Sequence, residues 1–229
     1  MVVALIVCPA RATVLDLTTE GSYGELNGAS FLQFDSIPTG SGLIDAFLRI
    51  QGHGMQQGYN SDYRPVEFDE DNSPQNNQSV LLSSIPVCTI LGTEYREFLL
   101  DINQNGQPIL SLDDLKIALH TAPDLTGFSS IFASPIYDLD AGSDNWILLN
   151  YGLNGGSGQG DMLALIPNSL FTGPDTQYLY LYAKAGENSI ADDGFEEWAY
   201  GINGALIPEP ATVALLGIGG LLMLRRRRK

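Results

Sequence analysis

Gln177-Tyr178-Leu179-Tyr180-Leu181-Tyr182-Ala183-Lys184 alternates aromatic and aliphatic side chains with a period of two. Successive side chains of an extended strand point to opposite faces, so Leu179, Leu181 and Ala183 fall on one side and the three tyrosines on the other. The segment predicts a strand with one aliphatic, core-facing side. Outward from it, further short strands are expected at residues 30–34, 43–51, 87–91, 95–102, 145–151, 161–166 and 195–200. Turn-rich stretches separate them, among them Thr39-Gly40-Ser41-Gly42, the glycine-rich run from Gly152 to Gly158, and Thr172-Gly173-Pro174-Asp175. No long amphipathic helix is present to cross between parallel strands. The pattern therefore predicts an all-β fold, a β-sandwich or jelly-roll-like domain over residues 13–204.

Composition narrows the function. The chain of 229 residues has 25 Gly and 12 Pro, 17% charged and 44% hydrophobic residues, which is globular and turn-rich. Its 27 acidic and 11 basic residues give a formal charge of −16. Five of the basic residues are the last five, so the body from Thr13 to Ile207 holds 26 acidic groups against five basic ones, a net of −21. Such a surface repels phosphate backbones, which argues against nucleic acid as a partner. Cysteine occurs only at Cys8 and Cys88, so the body cannot close an internal disulfide.

The ends carry targeting features. Residues 1–12 are an apolar run closing on Ala10-Arg11-Ala12, a small-x-small pattern that suits signal peptidase, so residues 1–12 are expected to be a short signal peptide. At the other end a linker, 205–210, contains Pro208-Glu209-Pro210. Fourteen uncharged residues, 211–224, follow, and then Arg225, Arg226, Arg227, Arg228 and Lys229. This order fits a single C-terminal transmembrane helix with a cytoplasmic basic anchor at 225–229, stretched by snorkelling arginines because ~20 residues normally span a bilayer. The acidic body would then face outward.

These residues resemble the PEP-CTERM proteins of bacterial envelopes: Pro208, Glu209 and Pro210 match the motif, Ala211 to Leu224 the apolar helix, and Arg225 to Lys229 the arginine cluster. The resemblance implies an exosortase-like processing enzyme as partner, cleavage near the motif, and a location at the envelope membrane followed by the cell surface or secretion. It also implies an association with exopolysaccharide and extracellular matrix. The body is similar to a subgroup of such proteins through Gln57 to Asp62, Glu97 to Asn103, Gly156 to Asp161 and Gly194 to Trp198. That subgroup carries no activity to transfer.

Within the body, Asp101, Asn103 and Asn105, with Gly106 permitting a bend and Asp113 further on, offer oxygens at the spacing of a calcium loop. The alternative is an Asx-rich turn. The pattern departs from a helix-flanked calcium loop at Pro108 and Leu112. A looser acidic set, Asp138, Asp140 and Asp144, reads as a polar inter-strand loop. Glu67-Phe68-Asp69-Glu70-Asp71 superficially resembles the carboxylate strand of jelly-roll glucanases but leads into a polar run, 69–78, expected to be a mobile surface loop. His53 and His120 lie near no nucleophile motif, and Cys88 sits in an apolar strand as a small core residue. The tyrosine face could stack on sugar rings or pack beneath a loop. Two function classes follow: a non-enzymatic, sorted structural or adhesive surface protein, and a calcium-dependent carbohydrate-binding module or carbohydrate-active enzyme on the same fold.

Overall fold

The computed structural model describes residues 12–34, 44–155 and 160–201. The expected signal segment up to residue 11, the Pro-Glu-Pro motif, the expected membrane helix and the expected basic anchor lie outside these residues. Among the described residues no helix is long and apolar enough to cross a membrane.

Among the described residues, fourteen strands, numbered in chain order, form two sheets, in agreement with the all-β expectation. The first sheet runs β1 (Val14–Asp16), β11 (Trp146–Asn150), β9 (Ile109–His120), β13 (Tyr178–Ala185) and β5 (Gln56–Tyr59). Beside this path β10 (Tyr137–Asp138) pairs with β9, and β6 (Val80–Leu81) with β13. The second sheet runs β2 (Tyr23–Leu26), β3 (Ala29–Gln33), β12 (Met162–Pro167), β8 (Thr93–Asp101), β14 (Ala191–Gly201) and β4 (Ile44–Gly54), with β7 (Val87–Ile90) beside β8. Among the described residues every strand pairing is antiparallel except β1 with β11. The one described α-helix, α1, is a single turn, Phe128–Ile131.

One apolar core lies between the sheets. Leu179, Leu181 and Ala183 of β13 enter it with Leu110, Leu112, Leu115 and Ile117 of β9, and meet Phe31, Phe98, Leu100, Ala164 and Trp198 from the second sheet. The period-two reading of β13 thus assigns its aliphatic face correctly. Burial of each large aliphatic or aromatic side chain contributes about 1.5–3 kcal/mol, which makes this shared layer the main stabilising feature.

Two expectations need correction. Strand β9, twelve residues long, was not among the predicted strands because Asp113-Asp114 breaks its alternation: Leu110 and Leu112 face the core, and so do Leu115 and Ile117. The cause is a bulge. Lys184 pairs with Asp114 and Ala185 with Leu112, leaving Asp113 as the extra residue. The polar run 69–78, in turn, is not a free loop. Gln51 N donates to Asp69 O (3.0 Å), Asp71 N to Arg49 O (2.9 Å) and Gln78 N to Phe47 O (2.9 Å), so the run follows the outer edge of β4. Asp69 N also donates to Gln57 O on β5 (3.1 Å). A polar segment can lie there because its backbone satisfies two sheet edges that would otherwise stay open.

Candidate functional site

The predicted calcium residues separate into distinct neighbourhoods. Asp101 ends β8 and is buried; Asn103 Nδ2 donates to Phe195 O (3.1 Å). The turn after it is built around Asp192 of β14, whose carboxylate accepts from the backbone amides of Asn105 (2.6 Å), Gly106 and Gln107 (2.8 Å). Burial works to raise the Asp192 pKa, but these amides outweigh it and hold the carboxyl below the usual range. Asp113 belongs to a different structure: it accepts from Ser111 Oγ (2.9 Å), Glu187 N (2.6 Å), Asn188 N (3.2 Å) and Asn188 Nδ2 (2.9 Å), and so clamps the turn between β13 and β14 onto the β9 bulge. Among the described residues no three His, Cys, Asp or Glu side chains are grouped to hold a metal ion. The Asn amides bond the carbonyls of β14, not their own turn.

A second polar group was not anticipated from sequence. Glu196 of β14 points to the same side as Trp198, into the space between the sheets, where Gln56 Nε2 of β5 and Gln104 Nε2 (3.1 Å) donate to its carboxylate. Burial pushes its pKa up to about 8, with the charges of Asp192 and Asp101 adding to the effect. Asp161 accepts from Ile102 N (2.8 Å) and is likewise pushed up to about 8, first by burial and then by Asp101. The available signal was parity: in Phe195-Glu196-Glu197-Trp198 one glutamate must share the tryptophan's side.

The acidic stretch at Glu67 serves packing. Glu67 accepts from Tyr59 Oη (2.5 Å), Gly127 N (3.0 Å) and Phe128 N (3.2 Å). Glu70 accepts from Tyr59 N (2.9 Å) and Phe68 N (2.7 Å). Burial raises the Glu70 pKa; at Glu67 burial also acts upward, but the Tyr59, Gly127 and Phe128 donors prevail and lower it. Both glutamates pin chain segments against the sheet, and with Tyr59 and Asn77 they line a small pocket.

The tyrosine face is covered. Tyr180 and Tyr182 are buried with Tyr59, Ile131 and Phe132 beneath the 122–132 segment, and Phe128 lies 4.5 Å from the Tyr182 ring. Tyr180 Oη accepts from Leu125 N (3.0 Å) and donates to Ala122 O (2.8 Å). This is the packed alternative of the two readings, and it leaves no open shelf for sugar rings there. Of the second acidic set, Asp138 pairs with Lys116 (2.7 Å), which also meets Asp114 (3.2 Å), while Asp140 accepts from Asn145 N (2.8 Å) and so holds the loop. Cys88 is buried, and burial, then the Glu97 charge, pushes its thiol up to about 12, an unreactive form. His120 lies in β9 with Nε2 against Ile131 O (2.8 Å).

Glu67, Glu70, Asp113 and Asp192 therefore hold turns, a bulge and neighbouring segments, and the molecule is an acidic all-β body whose specific functional signal lies in its C-terminal segment. A family model described as the PEP-CTERM protein-sorting motif matches residues 206–229, which takes in Pro208, Glu209, Pro210, the apolar run and the basic end. The C-terminal segment is thus similar to the sorting tail of PEP-CTERM proteins, which supports sorting through it. No curated protein and no solved structure matches the chain.

Proposed function

We propose that the protein is exported, held at the envelope membrane by residues 211–224, and released or attached at the surface when an exosortase-like enzyme processes it near Pro208-Glu209-Pro210. The observation that carries this reading is the match of the sorting motif to residues 206–229, with apolar and basic parts in the order a stop-transfer segment needs. The body would then be a non-enzymatic β-sandwich module with a structural or adhesive role in the matrix, where exopolysaccharide is the expected neighbour. Support for a non-catalytic role comes from the carboxylates at Glu67, Glu70, Asp113 and Asp192, each engaged by backbone amides that fix the fold.

Fractionation of cells producing wild type and a Pro208→Ala/Glu209→Ala variant tests the sorting step. The variant is expected to accumulate in the membrane fraction with its tail attached. Equal release of both proteins would contradict the role of the motif.

A further inference from the structure

Taking a lysine and two carboxylates out of water is costly, and contact between opposite charges repays only part of that cost. The first sheet carries such a group. Lys116 of β9 and Asp138 of β10 are direct register partners, and Asp114 stands two residues before Lys116 on the same face of β9. Lys116 Nζ lies 2.7 Å from Asp138 Oδ1 and 3.2 Å from Asp114 Oδ2, with the three side chains only 16%, 27% and 10% exposed. On its other side Lys116 is the register partner of Tyr182, one of the tyrosines buried with Ile131 and Phe132. Asp138 Oδ1 also accepts from Asp140 N (2.9 Å). Asp114 Oδ1 is buried and has no hydrogen-bond partner among the described residues. A dry, unpartnered carboxylate oxygen favours a bound proton, which suits a group that carries protons.

We propose that Lys116 and Asp138 close an intramolecular isopeptide bond, with Asp114 as the proton carrier. Nζ bonds to Asp138 Cγ, the atom next to the oxygen it already touches, and the bond from Cγ to Oδ2 breaks. The ammonium gives one proton to Asp114 before the attack and a second after it. Asp114 passes both to Oδ2, which leaves as water. One ammonium and one carboxylate thus become a neutral amide and one water, nothing is oxidised or reduced, and Asp114 returns to its starting form. Negative charge that gathers on Oδ1 during addition meets the Asp140 N–H already bonded to that oxygen. Burial works to lower the Lys116 pKa, but its two carboxylates outweigh it, so the group rests as an ion pair; burial raises the Asp114 pKa and makes it the better acceptor of the departing proton. Reacting groups held in contact by a fold reach effective concentrations of about 10⁵ M or more, which drives an amide to form in water. The bond closes residues 116–138 into a ring that includes α1 and the cover of the tyrosine face. In a body whose single cysteine is Cys88, it supplies the covalent tie that a disulfide cannot.

The cross-link depends neither on export nor on the tail. Its test is the mass of the full chain, folded, incubated overnight at neutral pH and measured under denaturing conditions, with the product mapped by peptide mass spectrometry. Wild type is expected to weigh one water less than the sum of its residues and to yield a branched peptide joining residues 116 and 138. Lys116→Arg and Asp138→Ala should keep the full mass. Asp114→Asn, with its sheet content checked by circular dichroism, should leave most of the chain without the bond, because loss of the proton carrier slows the step about a hundredfold. A folded wild type at full mass, a lost water mapped to any other residues, or the same loss in Lys116→Arg would each overturn the assignment. Formation at the wild-type rate in Asp114→Asn would overturn the role given to Asp114.

Discussion

Gln56 on the first sheet donates its side-chain amide to the carboxylate of Glu196 on the second, a buried bond that ties the two sheets together. Its strength depends on pH. The Glu196 pKa of about 8 stands above its ordinary 4.5, so the folded state holds a proton that the unfolded chain releases. Asp161, at about 8 against 3.8, behaves alike. Stability from these groups is present at acid pH and is lost as pH rises from about 4.5 to about 8. The urea midpoint should therefore fall between pH 5 and pH 8.5. Glu196→Gln should remove a large part of that fall, and Glu196→Gln with Asp161→Asn most of it; a wild-type slope in the double variant would contradict the assignment.

Asp113→Ala strips the clamp on the β9 bulge, leaving the amides of Glu187 and Asn188 without their buried acceptor. Loss of a buried charged partner of this kind costs about 2–4 kcal/mol, read as a lowered urea midpoint at pH 7. A change within the range of an ordinary surface substitution would show that the clamp is dispensable.

Tyr180→Phe removes the hydroxyl that joins Leu125 N and Ala122 O while keeping the ring in place. The expected cost is about 1–2 kcal/mol. Amide exchange should accelerate in the 122–127 segment above the tyrosine face and stay unchanged in β12. Uniform acceleration across the protein would argue against a local tie.

Asp192→Ala deprives the 105–107 turn of its anionic centre. Its melting temperature should fall, and added calcium should neither restore the variant nor shift the wild type. A calcium-dependent rise in wild type that Asp101→Asn abolishes would establish the cation site that the spacing of Asp101, Asn103 and Asn105 suggested.

Legibility in the sequence followed regularity. The unbroken alternation of 178–183 assigned both faces of β13, while β8, β12 and β11 were found to within two residues at their ends as short apolar runs bounded by polar or turn residues. Where one residue broke the period the reading failed. Asp113, extra in β9, made a core strand resemble a ligand-bearing loop, because a bulge and a metal loop both place acidic residues out of step. The edge run 69–78 was missed because its order comes from backbone bonds to β4, which leave no hydrophobic pattern. Asp192 and Glu196 find their partners across 85 or more residues of sequence, beyond the reach of local spacing. The sorting tail was legible because its three parts are contiguous.

Intact-mass measurement of the protein recovered from the surface and medium of cells that carry an exosortase tests the central claim most directly. The account predicts a chain ending near Pro208-Glu209-Pro210, without Ala211 to Lys229, whereas cells lacking the enzyme retain the full tail. A mature surface protein that still ends in Arg225-Arg226-Arg227-Arg228-Lys229 would contradict it.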